Sequence, residues 1–549
     1  MAGKIGDILV EKKLVTQAQL AEALAIQDKD HLFLGTILLS KGWVKPDQLL
    51  PLMGEHYHLP WIRLRDVQVS KKAVAEVPSK IALHYRIMPI TLENSTLTVA
   101  IANPQDVRVV DEVRVALKQR YRIEPIIATE EDIQEALKQA YGFGADTVSD
   151  ILIDRQKNGS GAEVIDDRIE DIEKLAEDAS VVKLVNQLIL EAHNRRATDI
   201  HLEPYRGKVR LRYRIDGLLH GVDVPAAIRS LFPAIISRVK VISNLNIVER
   251  RLPQDGRASV KIGDQKIDLR VAVLPTPAGE SIVIRILPNQ MLMDLKELGF
   301  RPEDLAGLLR VVQKPHGLIF VTGPTGSGKT TTLYACLKTI NTEERKIITV
   351  EDPIEYELDG ATQVQIKPQI GLSFTEALRS LLRHDPDVMM VGEVRDLETV
   401  ELTVRIALTG HLVFSTLHTN DAISALVRLM DMGVDPYLIA SSVECIIGQR
   451  LVRLLCTACR VKGSDGTYQR GPGCDSCTHT GFRGRTAIYE FLFLNQAIRN
   501  LILQKAPLDQ IRKKAAETGM RTMREDGMDR VKAGLTTVDE IIRVTQEDE

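Results

Sequence analysis

The sequence predicts a multidomain α/β protein, and three patterns carry that expectation. From Leu298 onward, short apolar strands alternate with helical periods, the arrangement of a parallel sheet with crossover helices. Within that region one glycine-rich loop joins a strand to a helix, the setting of a phosphate-binding loop. Ahead of it lies a β-rich segment in which Val209–Asp216 (VRLRYRID) alternates apolar and basic residues, the period of a half-exposed strand. The 549 residues leave room for roughly three or four domains.

Residues 1–60 read as two copies of one helical unit, Lys4–Gln27 (KIGDILVEKKLVTQAQLAEALAIQ) and Phe33–His56 (FLGTILLSKGWVKPDQLLPLMGEH). With Gly6 set against Gly35, Leu9 meets Leu38, Leu20 meets Leu49 and Leu24 meets Met53. The apolar spacing of three and four predicts short amphipathic helices, with starts near Thr16 and Lys45-Pro46-Asp47. From 61 to 142, β-like runs (97–101, 123–127) alternate with helical runs (109–118, 130–141), which predicts a small α/β unit and closes an N-terminal domain at 1–145. Gly142, Gly144, Gly159 and Gly161, with acidic residues after them, predict a flexible linker over 146–170. A helix from about 172 to 195 opens the next domain, 171–290, and 291–549 forms the last.

Composition excludes several functions. A net charge of -3 and an aromatic fraction of 4% supply neither a general cationic footprint nor a stacking platform, so no nucleic acid is expected as a partner. No run of about 18 apolar residues suggests a membrane span. Met1–Val10 carries Lys4 and Asp7 and lacks the apolar core of a secretory signal. A cytoplasmic protein that meets the membrane through partners is the expectation. Cys336 and Cys445 both fall in apolar helical patterns and are expected to be buried structural thiols.

Gly317–Ile340 holds the sharpest motif. Leu318–Thr322 is an apolar strand; Gly323, Pro324, Thr325, Gly326, Ser327, Gly328, Lys329 and Thr330 satisfy G-x-x-x-x-G-K-[ST]; a helix follows from Thr331. Glycines let backbone N–H groups converge on phosphate, and the helix N-terminus adds partial positive charge. The expected ligands are ATP and Mg²⁺, with Lys329 on the β- and γ-phosphates and the Thr330 hydroxyl on the metal. Two further strands end in acids, Glu351-Asp352-Pro353-Ile354-Glu355 and Gly392-Glu393-Val394-Arg395-Asp396. Ligands of open parallel sheets lie at the carboxyl ends of strands. Glu393 is therefore expected to hold the metal's water shell, and Glu351, Asp352 and Glu355 are candidates for activating water. A third strand, His411–Leu417, ends at His418, a candidate γ-phosphate sensor.

Cys456-x-x-Cys459 and Cys474-x-x-Cys477, 14 residues apart, each present two thiolates, and together they close a four-ligand structural Zn²⁺ site in a module at about 452–482. Four protein ligands leave no open position for catalysis.

Gly323–Thr330, Val350–Tyr356 (VEDPIEY), Leu381–Thr399 (LLRHDPDVMMVGEVRDLET) and Thr409–Ala422 (TGHLVFSTLHTNDA) together resemble the Walker A, Asp box, Walker B and His box of the secretion-ATPase family, whose members drive type II secretion and type IV pilus assembly. Ala197–Pro204 (ATDIHLEP), Arg251–Arg257 (RLPQDGR) and Leu274–Leu287 resemble the preceding domain of the same family. The resemblance implies a RecA-like P-loop core, a PAS-like α+β subdomain before it, and a homo-hexamer. It implies arginines that reach the nucleotide from the subdomain, for which Arg210, Arg212, Arg214, Arg257 and Arg285 are candidates, and it places His411 and His418 in the His box. It also implies a cysteine module that docks on an inner-membrane platform protein, and a peripheral place at the membrane through a cytoplasmic-side adaptor. Arg428–Ser442 resembles the type II secretion branch more than the pilus-extension branch. The doubled N-terminal unit resembles a family motif that binds cyclic di-GMP in some members. That motif opens Arg-Leu-Gly and closes on Gln. Here the copies open Lys4-Ile5-Gly6 and Phe33-Leu34-Gly35 and close on Gln27 and His56, so the arginines and one glutamine are missing. The expectation is a helical adaptor rather than a cyclic di-GMP receptor.

Overall fold

The computed structural model describes residues 5–30, 33–105, 107–141, 178–262, 265–287, 293–463 and 466–545. The linker expected over 146–170, Lys4, and the start of the helix expected at 172 lie outside the described residues. Among the described residues no helix is long and apolar enough to cross a membrane. The chain divides into two compact units, Met1–Leu287 and Pro288–Glu549.

In the first unit the doubled sequence makes four helices, Ile5–Glu11, Gln17–Asp30, Leu34–Ser40 and Pro46–Tyr57. Leu9, Leu20, Leu38, Leu49 and Met53 share one buried cluster. A Cβ on Gly6 would lie 2.8 Å from Leu20, and one on Gly35 would lie 3.4 Å from Leu49. In the first copy glycine lets the first helix press on the second; in the second copy the tighter neighbour of Gly35 is Phe33, at 2.8 Å. Thr16 opens its helix with a reciprocal pair: its hydroxyl accepts from Gln19 N–H at 3.2 Å while the Gln19 side chain accepts from Thr16 N–H at 2.8 Å. The symmetry fails at the last aligned pair, since Leu24 is 43% exposed and Met53 is 3% exposed.

Strands β1 (Met88–Glu93), β2 (Thr96–Ile101) and β3 (Arg122–Ile127) follow as a three-stranded sheet in that order, with β2 and β3 parallel. The helices Val107–Ala116 and Glu130–Tyr141 accompany them.

A six-stranded antiparallel sheet completes the unit. Its strands are β4 (Ala197–Tyr205), β5 (Lys208–Ile215), β6 (Leu218–Val222), β7 (Gln254–Ile262), β8 (Gln265–Thr276) and β9 (Gly279–Leu287), ordered β6-β5-β4-β9-β8-β7. Ile200, Leu202, Leu211, Tyr213, Val271 and Ile284 are buried in one cluster with residues of the helices Ala179–Asn194 and Ile228–Ile242. The alternate residues form the other face. Register sets Arg257, Arg270, Arg285, Asp199 and Arg214 side by side in one row across five strands.

The second unit is built on a seven-stranded sheet. Its strands are β10 (Gly317–Thr322), β11 (Ile347–Glu351), β12 (Thr362–Gln365), β13 (Val388–Val391), β14 (Leu412–Leu417) and β15 (Val443–Leu455), then, after the short ribbon β16 (Val461–Lys462) and β17 (Tyr468–Gln469), β18 (Phe482–Phe493). The order is β12-β11-β13-β14-β10-β15-β18. Every neighbouring pair is parallel except β15 and β18. Every residue of β10, β11, β13 and β14 is buried, as helices on both faces demand. The helix Lys329–Ile340 packs in one core cluster and the helices Leu397–Leu408 and Ala422–Asp431 in another.

Cys336 lies in the helix Lys329–Ile340, but Cys445 corrects the sequence reading: it sits on β15. A continuous apolar run of a doubly buried strand has no period that separates it from a buried helix. Both thiols are buried, and burial pushes the Cys336 thiol up to about 12.

Candidate active site and candidate metal centre

Strand register decides which loops meet. Thr322 pairs with Leu417, Val391 with Ser415 and Val350 with Val391. The loops leaving β10, β14, β13 and β11 therefore emerge at one edge of the sheet, carrying Gly323, His418, Glu393 and Asp352. The Thr322 and Thr419 hydroxyls stand 2.7 Å apart, and the Thr419 N–H donates to the Thr322 hydroxyl at 3.0 Å, which ties two of these loops together.

The glycine loop runs with Gly323, Gly326 and Gly328 at φ values of 150°, 77° and 91°. A Cβ on Gly323 would lie 2.5 Å from the Gln449 carbonyl oxygen. Gln449, on β15 and 1% exposed, donates from its side chain to the Ser327 carbonyl at 2.7 Å and accepts from the Thr332 hydroxyl at 2.8 Å. Lys329 Nζ donates to the carbonyls of Gly323 (2.8 Å) and Pro324 (3.1 Å). Thr330 and Thr331 begin the helix behind the loop, half-buried. The Ser327 hydroxyl is buried without a hydrogen-bond partner. An orphaned hydroxyl, left-handed glycines and a helix N-terminus together suit a polyphosphate.

Burial pulls the Lys329 pKa down to about 8; the Glu393 carboxylate opposes the shift and the Arg450 charge adds to it. Glu393 lies 2.5 Å from Arg395 Nη2 and 3.4 Å from His418 Nε2. The His418 pKa lies below its ordinary value, through burial first and then the Lys329 charge, with Glu393 working the other way. Lys329, Glu393 and His418 are thus neighbours.

Two sequence candidates have other partners in the structure. Glu351, 3% exposed, is fully engaged: one carboxylate oxygen accepts from the Tyr334 hydroxyl (2.6 Å), the other from the Thr349 hydroxyl (2.6 Å) and the Gln363 amide (3.1 Å). It is the last residue of β11 and braces the strand end, away from water. Exposed Asp352 and half-buried Glu355 follow it. His411 precedes β14, and its carbonyl accepts from the N–H of Gly317 at the start of β10. That is the edge of the sheet opposite the glycine loop, about 20 Å away along a six-residue strand. Its Nδ1 lies 3.0 Å from the Ile406 carbonyl, a structural contact.

Arg210, Arg212 and Arg214 share one face of β5. Arg212 pairs with Glu203 at 2.6 Å, Arg214 with Asp199 at 3.6 Å and Arg285 with Asp199 at 3.0 Å. Arg210 stacks over Tyr205 at 4.6 Å, and Arg257 lies exposed on the edge strand β7. Sequence reasoning missed Arg270, which register places between Arg257 and Arg285. It also missed Gln449 and Arg450. The Arg450 guanidinium donates to Asn420 Oδ1 at 2.8 Å, and its Nε is buried without a partner.

The four cysteines Cys456, Cys459, Cys474 and Cys477 converge between the ends of β15 and β18, their sulfurs all within 4.8 Å of one another. Three separations are 3.7 Å (456–474), 3.8 Å (459–477) and 3.8 Å (474–477). A tetrahedral zinc with bonds of about 2.3 Å sets sulfurs about 3.8 Å apart, whereas a disulfide needs about 2 Å. The backbone N–H groups of Cys474 and Gly481 both donate to Cys477 Sγ at 3.2 Å. Burial acts to raise the Cys477 pKa, and these donors outweigh it, bringing the thiol down to about 6. A Cβ on Gly471 would lie 1.6 Å from the Cys459 carbonyl oxygen, so the loop closes this tightly only with glycine there. The donor set and its spacing fit Zn²⁺.

A largely parallel sheet with a glycine loop, a lysine at a helix start and carboxylates on the neighbouring strand ends defines a P-loop nucleotide-hydrolysing protein. The profile of the family described as type II/IV secretion system protein matches residues 174–543, and the MshEN domain matches residues 57–147. The chain is similar to the type IV pilus assembly ATPase PilB of Myxococcus xanthus, 39% identical with 100% of both chains covered. It is equally similar to the type II secretion system protein E of Xanthomonas campestris pv. campestris, 38% identical over 99% of this chain and 98% of that one. The solved ATPase DotB of Legionella pneumophila shares the fold, with a TM-score of 0.51 at 21% identity over 66% of this chain and 95% of that one. The chain belongs to the type II/IV secretion system protein family and is an ATPase of that family. Full-length relatives stand on both sides, so the lean toward the secretion branch drawn from Arg428–Ser442 has no counterpart in overall identity.

Proposed function

We propose that this protein is a homo-hexameric motor that hydrolyses ATP at the cytoplasmic face of the inner membrane, and that it drives an inner-membrane platform protein to assemble a pseudopilus or type IV pilus. The observation that supports it best is the convergence of Lys329, Glu393 and His418 beside the glycine loop, in a chain whose full-length relatives are named for these two machines. Gly323 to Thr331 hold the polyphosphate, with backbone N–H groups and Lys329 balancing its charge. Thr330 and, through water, Glu393 hold Mg²⁺, which when bound neutralises charge on the phosphates. Asp352 or Glu355 orients the attacking water, and His418, poised against Glu393, senses the terminal phosphate. Arg210, Arg212, Arg214, Arg257 and Arg285 form the face that meets nucleotide within the ring. The tetracysteine centre holds structural Zn²⁺ and gives the platform contact its shape.

The test is steady-state ATP hydrolysis beside sizing, for the parent chain and Glu393→Gln. Magnesium-dependent turnover by a hexamer, lost in Glu393→Gln while the hexamer persists, is the expected result. A folded monomer with full turnover sinks the ring, and undiminished turnover in Glu393→Gln sinks the site. Metal analysis of the same samples should find one zinc per chain and no zinc after Cys477→Ser.

A further inference from the structure

One end of the six-stranded sheet encloses a cavity of about 550 Å³, bounded by the β4–β5 turn, the β8–β9 turn and the helix Ile228–Ile242. Its floor is apolar, from Phe232, Pro233 and Ile236, and its wall is cationic, from Lys208, Arg229 and Arg250. None of these three has a carboxylate partner among the described residues. Arg250 Nη2 is buried without a hydrogen-bond acceptor.

The carboxylate at the wall, Glu280, does not serve them. It lies 2.5 Å from Lys240 Nζ, a lysine whose side chain is 0% exposed and which also donates to the Glu249 carbonyl at 2.8 Å. That inner pair is neutral, so the cavity keeps the charge of its three outer cations. Gly207, at φ 78°, forms the β4–β5 turn, and a Cβ there would lie 3.4 Å from Arg229 Nη1. Glycine keeps the turn against the guanidinium. Exposed cations without partners are ordinary on a protein surface. Three of them around one cavity, one with a buried donor left unmet, are a receptor for an anion, since an oxyanion meets the orphaned N–H and relieves the mutual repulsion at once. Arginine forks match phosphate oxygens in geometry, and the apolar floor has room for the body of an ester.

We propose that this cavity, built wholly from the first unit, binds a phosphate-bearing anion through Arg229, Arg250 and Lys208. The full-length chain, with its glycine loop saturated by magnesium–ADP, is titrated with inorganic pyrophosphate by calorimetry. Saturable binding is expected, weakened about tenfold or more by Arg250→Met and by the exposed-site variant Arg229→Glu, which does not touch the core. Absence of saturable binding to pyrophosphate and to vesicles containing an anionic phospholipid overturns the proposal, as does binding that both variants leave unchanged. Pyrophosphate binding lost in Arg229→Glu assigns the source to a soluble phosphate; vesicle binding alone, lost in the same variant, assigns it to a lipid headgroup.

Discussion

The two large sheets put chemistry in different places. In the seven-stranded sheet, β10, β11, β13 and β14 are buried at every position, so polar groups have nowhere to act except at the strand ends. Glu393 and His418 sit on loops leaving one edge, and Lys329 opens the helix that follows the glycine loop there. In the six-stranded sheet the two helices cover one face, and alternate residues of the other face stand free to carry Arg212, Arg214 and Arg285, two of them held by Asp199. A sheet wrapped on both sides makes a point-like site at its edge. A sheet wrapped on one side makes a charged plane with its own counter-ions. Loss of one group should then be severe at the first and diffuse on the second.

Lys329→Ala tests the severe side. Turnover should fall by about 10²–10³-fold or more, the scale of losing one preorganised electrostatic partner, with the melting curve unmoved. A fall of less than tenfold would mean the edge site is as diffuse as the plane. Within the edge, Glu351 and Asp352 should part company. Glu351→Ala strips the buried Thr349 hydroxyl of its acceptor, while Tyr334 and Gln363 keep the Tyr356 carbonyl, and should lower unfolding free energy by about 1–3 kcal/mol. Asp352→Ala should stay within about 0.5 kcal/mol by denaturant unfolding while reducing turnover.

Glu490, on β18, offers a pH test. Burial raises its pKa from 4.5 to about 7, against the N–H groups of Ala422 and Met523 that donate to it. Between those values the native chain binds more protons than the unfolded chain, so this group makes stability fall as pH rises from about 4.5 to about 7, with a slope of at most about 1.4 kcal/mol per unit. Glu490→Gln should flatten that slope, and pH profiles that stay parallel would count against a buried neutral carboxyl. The smallest effect belongs to the plane. Asp199→Ala should cost about 1 kcal/mol or less, because Arg285 and Arg214 are 50% and 35% exposed, and the loss should shrink with added salt. A loss beyond about 3 kcal/mol would show the plane to be as unforgiving as the edge.

What the sequence reveals follows the range of the interaction. The strand–loop–helix around Lys329, the alternation in β5 and the paired cysteines are local, so the chain reads them directly. Gln449 stands 122 positions from Ser327, and only the pairing of β10 with β15 brings them together. His411 and His418 flank one strand and look alike in the sequence; strand direction alone sends one to the loop edge and the other to the opposite edge. Glu351 reads as one more acid in an acidic run until the Tyr334, Thr349 and Gln363 side chains close around it. Arg270 is one basic residue among many until register sets it between Arg257 and Arg285.

The strand β15 leaves a mechanical consequence. Gln449 holds the glycine loop through Ser327 and the helix behind it through Thr332, and seven residues further along the same chain stands Cys456. At about 3.3 Å per residue that is a spar of about 23 Å, stiffened along its length by pairing with β18 from Cys445↔Phe493 to Leu455↔Phe482. A beam clamped at one end carries a tilt outward in proportion to its length, so a rotation of about ten degrees at the loop displaces the cysteine end by about 4 Å. A flexible tether of the same length would lose that stroke in slack.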